Sequence, residues 1–114
     1  MSAFSNAVRV EAEGVRTLAF GGISSTYADI GAVTANPIRI IMVKNTTDVA
    51  VTVSWDGGVT DVFDIPAGGA DTLDLYTNGG NDGAYRPINS QFQVKDQGSA
   101  ATSGKVIVQC FYVD

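Results

Sequence analysis

The sequence has no histidine, one cysteine, and only seven lysines and arginines together in 114 residues. Each scarcity removes a class of function. Without histidine, the side chain that exchanges protons near neutral pH is missing, so neither a Ser-His-Asp nor a Cys-His arrangement can be assembled. The lone Cys110 permits no internal disulfide, so the fold is not expected to depend on an oxidising compartment, and a zinc site would lack its ligands. Set in an apolar run, Cys110 reads as a small buried hydrophobe rather than a reactive thiol. The basic residues are scattered singly from Arg9 to Lys105 and the net charge is −5. That leaves no clustered footprint for a phosphate backbone, and nucleic acid is not an expected partner. No apolar run approaches the ~20 residues of a membrane helix. The N-terminus MSAFSNAVRVEAEG also has neither the basic nor the long apolar segment of a secretory signal. No membrane partner is expected, and the chain should be made, and remain soluble, in a cytoplasm-like compartment.

What is present is enough for one core. The hydrophobic fraction of 45% is ordinary for a globular chain and the 13 glycines fall mostly at plausible reversals, which suits an all-β protein. Residues 1–6 are small and polar apart from Phe4 and read as an arm. Residues 7–20 alternate, with a break at Gly14 that fits either a hairpin or one strand with a bulge. Residues 21–36 read as a loop with a short strand or turn. The spacing of Tyr27, Ile30 and Val33 would also permit one helical turn.

The strongest pattern is PIRIIMVKNTTDVAVTVSWDGGVTDVFDIPAGGADTLDLY, residues 37–76. It predicts four strands separated by three short turns. Residues 38–43 are apolar on both faces apart from Arg39, the mark of a strand covered on both sides. In residues 49–55, Val49, Val51, Val53 and Trp55 alternate with Ala50, Thr52 and Ser54. Asn45 to Asp48 supply the first turn and Asp56-Gly57-Gly58 and Pro66-Ala67-Gly68-Gly69 the other two, around a strand over 59–65 and before one over 72–76. The polar loop TNGGNDG, residues 77–83, follows. Phe92 and Val94 then alternate with polar neighbours. Residues 105–113 form a long strand, apolar on both faces, that is central in its sheet or covered by another subunit. This spacing predicts a single antiparallel β-sandwich spanning residues 1–114, of jelly-roll type, with a short N-terminal arm.

The chemistry is sparse. Asp56, Asp61, Asp64, Asp71 and Asp74 cluster in sequence, but two sit in turns and two on the polar phase of strands, where a solvated face explains them better than a catalytic pair. Asp56-Gly57-Gly58 with Asp61, or the loop 78–82, could offer oxygens to calcium, yet neither matches a twelve-residue calcium loop and both are good turns. Trp55, Tyr76, Tyr85 and Tyr112 could stack on a sugar, although large aromatics more often fill small β cores. No catalytic residue, metal ligand or cofactor site is expected, and the protein is not expected to be an enzyme.

The stretch IRIIMVKNTTDVAVTVSWDGGVTDVFDIPAGGADTLDL and the ending FQVKDQGSAATSGKVIVQCFYVD resemble small virion structural proteins of tailed bacteriophages. The likeness rests on a VTVSWDG strand at 51–58, a TD…F.IPAGG turn at 60–69 and a Q…SAA.SG.V.V…Y strand at 97–112. It covers about two thirds of the chain, from Pro37 onward. The resemblance implies a capsid decoration or cement protein, made in the host cytoplasm and carried on the outer virion surface. Its expected partners are the major capsid protein, whose subunits it would bridge, and further copies of itself in a dimer or trimer. The contact residues would be Ser2, Ala3, Phe4, Ser5 and Asn6 of the arm. The alternatives are a carbohydrate-binding or adhesive module and a head-tail or tail component.

Overall fold

The computed structural model describes residues 10–74 and 86–113. Its strands are β1 (Val10–Ala12), β2 (Arg16–Ala19), β3 (Ala28–Asp29), β4 (Ile38–Asn45), β5 (Val51–Ser54), β6 (Phe63–Ile65), β7 (Ala70–Asp74), β8 (Gln93–Asp96) and β9 (Lys105–Val113). The described residues contain no α-helix, only a 3-10 turn at Phe20–Gly22. The first sheet has the order β1–β9–β4–β7, with β2 also on β9. The second has the order β3–β8–β5–β6. All pairings are antiparallel.

β1 takes the Phe111–Val113 end of β9 and β2 the Lys105–Val108 end, so the two are one edge strand broken around Gly14. Of the two readings of that region, the interrupted strand is the one that forms. Counting β1 and β2 together gives two four-stranded layers, and every chain connection except β5–β6 passes from one layer to the other. This is a jelly-roll sandwich. Its core is aliphatic and drawn from both layers: Ile38, Ile41, Val43, Val106, Val108 and Cys110 from the first, Val51, Val53, Phe63, Ile65 and Val94 from the second, closed by Ile23, Ile30 and Phe92 from the connections.

The stretch 37–76 is divided between the layers rather than forming a local meander. β4 and β7 pair with each other in one sheet, and the β5–β6 hairpin lies in the other. Alternation dictates which face of a strand is buried but carries no label for the sheet it joins. The apolar run at the start of β4 has a different cause from burial on both faces. Ile38 pairs with Tyr112 and Ile40 with Phe111, which leaves Arg39 as an extra, bulged residue. The bulge resets the phase, so Ile38 and Ile41 are both buried while Ile40 and Met42 face outward.

In β5 the expected polar phase is buried too. Thr52 Oγ1 donates to Asp64 Oδ1 (2.9 Å) and receives Gln97 Nε2 (3.0 Å), so neighbouring side chains roof it. Ser54 Oγ donates to Asp56 Oδ1 (2.7 Å) and accepts the Gly58 amide (3.0 Å). Asp56 Oδ1 also accepts the Thr60 amide at 2.9 Å. These local bonds compete with the ladder. The strand expected over 59–65 therefore starts only at Phe63, and Val59 is 84% exposed. Trp55 is half-buried at the rim, edge-on to Phe63 at 6.4 Å, rather than inside the core.

Asn45 was legible as a turn residue, but it is the last residue of β4 and fully buried on the inward phase. Its Nδ2 donates to the carbonyls of Val49 (2.8 Å), Ile65 (3.2 Å) and Pro66 (3.1 Å). Its Oδ1 receives the Thr47 amide (3.0 Å), with the Thr47 hydroxyl at 2.5 Å. One carboxamide thus pins both crossings at this end, β4–β5 and β6–β7. The second crossing turns at Pro66–Gly69, closed by the Gly69 amide on the Pro66 carbonyl (2.9 Å), with Gly68 at φ +72°. The β8–β9 connection packs on the same corner. Gly104 at φ +84° lies so close to Thr46 that a Cβ would sit 2.2 Å from its carbonyl oxygen.

Within residues 21–36, Ile30 is fully buried, Val33 is exposed, and no helical turn forms over 27–33. Asn45→Ala should cost about 3 kcal/mol, because several buried carbonyls lose their donor. Urea unfolding measures it, and a loss below about 0.5 kcal/mol would contradict the pinning role.

Candidate interaction surfaces

The aspartates grouped in the sequence are dispersed by the fold. Asp71 and Asp74 lie on β7 in the first sheet, while Asp56, Asp61 and Asp64 lie on or beside β6 in the second. Asp61 accepts the Tyr27 hydroxyl and lies 3.9 Å from Lys95 Nζ. Asp64 serves Thr52 and Gln97, and Asp71 Oδ1 accepts the Thr72 amide at 2.8 Å. Bonds from Thr60 and Ser54 hold the Asp56 carboxyl far below the usual carboxylate range, the behaviour of a turn cap. Among the described residues, no group of three or more His, Cys, Asp and Glu could hold a metal ion. The loop 78–82 lies outside those residues.

Of the aromatic candidates, Trp55 and Tyr112 are partly buried against the core, and Trp55 also meets a cation, as does Tyr27. Arg86 sets its guanidinium 4.8 Å from the Trp55 ring centre, and Lys95 Nζ stands 4.7 Å from that of Tyr27. Burial and the bond to Asp61 push the Tyr27 hydroxyl pKa upward, so it stays protonated. Tyr76 and Tyr85 lie outside the described residues, as do Ser2, Ala3, Phe4, Ser5 and Asn6 of the arm.

The densest electrostatic cluster escaped the sequence reading. Glu13 and Arg16 form an ion pair at 2.6 Å, each side chain 7% exposed. Arg16 Nε also donates to the Ala32 carbonyl (2.9 Å), and the guanidinium lies 5.9 Å from the Phe92 ring centre. The second Glu13 oxygen accepts the amides of Ala35 (3.0 Å) and Asn36 (2.8 Å) and the Asn36 carboxamide (2.8 Å). The strand break at Gly14 is therefore where the edge of the first sheet grips the 30–36 connection. Burial alone would raise the Glu13 carboxyl pKa, but the bonds from Arg16, Asn36 and Ala35 outweigh it and hold it below the ordinary value.

The outer face of the first sheet carries an apolar groove. Register places its outward residues in rows: Ala12, Phe111, Ile40 and Asp74; then Gln109, Met42 and Thr72; then Thr17, Ile107, Lys44 and Ala70. Met42 is 45% exposed, and a shallow groove of about 260 Å³ runs between Phe111, Met42 and Ile107 and the small residues of β7. The outer face of the second sheet is polar, with Asp29, Gln93, Lys95, Thr52 and Asp64 bonded to one another or to neighbours.

With this geometry in view, the likeness to known proteins is one of fold. No protein-family model matches the sequence, and no curated protein matches it. The structure is similar to a chain of the cyanophage Pam1 capsid asymmetric unit, at 14% identity, with 95% of this chain and 86% of that chain covered and a TM-score of 0.56. It is also similar to a chain described under Bacillus endospore appendages that form a novel family of disulfide-linked pili, at 16% identity, 94% and 90% coverage and a TM-score of 0.49. The fold resembles that of a phage capsid component.

Two outcomes follow from the buried groups. Because folding lowers the Glu13 pKa from its ordinary value of 4.5, its contribution is complete above that range and lost as pH falls through the folded pKa. Glu13→Gln should cost about 3 kcal/mol at neutral pH. The variant should also flatten the loss of stability between about pH 5 and pH 3, as followed by urea unfolding. Burial pushes the Cys110 thiol pKa up to about 11. A thiol reagent at pH 8 should label native protein only at the rate of unfolding and urea-unfolded protein at once.

Proposed function

We propose that the protein is a non-enzymatic virion structural protein that binds the outer surface of a phage capsid and stabilises it by bridging subunits of the major capsid protein. The observation that carries this reading is the jelly-roll likeness to a chain of a phage capsid asymmetric unit over nearly the whole of both chains. The local chemistry supports it. The described aspartates cap turns, receive hydroxyls or lie along a strand edge, and Trp55 and Tyr27 lie against cations. A clamp needs a stiff scaffold and repetition, since each contact is modest and many copies multiply it. The doubly pinned corner at Asn45 and the grip of Glu13 provide the stiffness. In this role the arm residues 2–6 reach a neighbouring subunit, and the exposed edge of β7 is available for strand addition.

Purified protein mixed with empty heads lacking it should cosediment saturably and raise the temperature at which the heads rupture. Removal of residues 1–6 should cut occupancy at least about tenfold. Binding to isolated tails or to glycans, with none to heads, would overturn the reading in favour of a tail component or an adhesive module.

A further inference from the structure

On the outer face of the second sheet, side chains carried by three neighbouring strands converge on one another. Thr52 of β5 and Asp64 of β6 are cross-strand partners, and Gln97 directly follows β8, the other neighbour of β5. Thr52 Oγ1 donates to Asp64 Oδ1 at 2.9 Å. Gln97 Nε2 lies 3.0 Å from that hydroxyl oxygen and 3.2 Å from the same carboxylate oxygen. The partners decide which end of the carboxamide points inward, because a carboxylate and the Val51 carbonyl (3.3 Å) only accept. An alcohol oxygen, a proton acceptor and an amide nitrogen thus form one triangle. We infer that this triangle is a self-modifying site, at which Thr52 and Gln97 join in an ester cross-link with release of ammonia and Asp64 moves the proton.

Each group stands where the reaction needs it. Asp64 Oδ1 takes the hydroxyl proton as Thr52 Oγ1 attacks Cδ of Gln97, forming the new C–O bond. The tetrahedral centre collapses, the C–N bond breaks, and the same proton passes from Oδ1 to Nε2. Alcohol and primary amide become ester and ammonia, with no change of oxidation state. Cδ is bonded to Nε2 and so lies no more than about 4.3 Å from Oγ1. The last torsion of glutamine is broad, and rotation about it turns the carbon toward the attacking oxygen. Thr52 is 4% exposed, which keeps bulk water from the hydroxyl, whereas Gln97 is exposed, which gives ammonia its way out. Lys95, the cross-strand partner of Thr52 on β8, is the competing nucleophile. Its ammonium stands over the Tyr27 ring and 3.9 Å from Asp61, a setting that keeps it charged and unreactive.

The link would join positions 45 residues apart and tie the β5–β6 hairpin to the end of β8. It closes a long loop as a disulfide would, in a chain whose lone, buried Cys110 cannot. The inference rests on these three residues and does not depend on the capsid reading.

Intact-mass spectrometry of the purified full chain reads the step directly. After incubation at neutral pH, the wild type should be lighter than its sequence by one ammonia. Peptide mapping should place the link between the segments that carry Thr52 and Gln97. Neutral hydroxylamine should open it, since it cleaves esters and spares amides. Thr52→Val and Gln97→Met should both keep their full mass. Gln97 is exposed, so the second variant answers even where the buried change weakens folding. Asp64→Asn retains both reacting groups and should form the link at least about 100-fold more slowly. A wild type that keeps its full mass, or an ammonia loss that persists in Gln97→Met, would overturn the inference. So would a link that survives hydroxylamine, which would give the reaction to Lys95, or one that forms in Asp64→Asn at the wild-type rate.

Discussion

The Asn45 carboxamide is the constraint on which this sandwich most depends. A jelly roll must pass its chain repeatedly between layers, and each passage leaves backbone groups that no sheet ladder satisfies. At one end, two passages meet, and a single side chain donates to carbonyls on both while accepting from the turn between. An aliphatic residue in the same place would fill the space and leave those groups unpaired in a dry interior. The close approach of Gly104 to Thr46 adds a third connection to the same corner. The layers are therefore joined at a polar node, with hydrocarbon filling the space between them.

The node also shows why the sequence was legible to a definite depth. Alternation in Val51 and Val53, in Phe92 and Val94, and in Val106, Val108 and Cys110 identifies the inward phase, and all of these residues are buried. Period-two patterning says nothing of long-range pairing, so the separation of the 37–76 stretch into two layers stayed hidden. So did the bulge at Arg39, which imitates a strand buried on both sides. Asn45, Arg16 and Glu13 were misread or passed over for one reason: a buried polar residue looks like a surface residue until its distant partners are known, and Glu13 finds Asn36 across 23 positions. Asp56, by contrast, bonds within four residues, and its turn was legible from local composition.

Function follows the same division. The absence of histidine and the scatter of basic residues were visible at once, whereas the dispersal of Asp71 and Asp74 away from Asp56, Asp61 and Asp64 depends on which sheet each strand joins and was not. A resemblance in turns and strands pointed to virion proteins, and the fold likeness to a capsid chain lies in the same direction. Which residues share a face of the first sheet was not legible, because a face is defined by register across strands far apart in sequence. The row Ala12, Phe111, Ile40 and Asp74 draws on four separate segments.

β9 has a further consequence, in the order of assembly. It is the longest strand, and it holds β1 and β2 on one side and β4 on the other. It joins residues as remote as Glu13 and Gln109, 96 positions apart. Every partner of β9 precedes it in the chain, so during synthesis the first sheet lacks its middle until nearly the last described residue has emerged. Until then β1 and β2 have no neighbour, and the edge of β4 is open. Loop closure of that length comes before any reward from the contacts it brings together. Folding should accordingly be slow and all-or-none, completed by one late event. Crowded nascent chains would be most exposed to mispairing at β4.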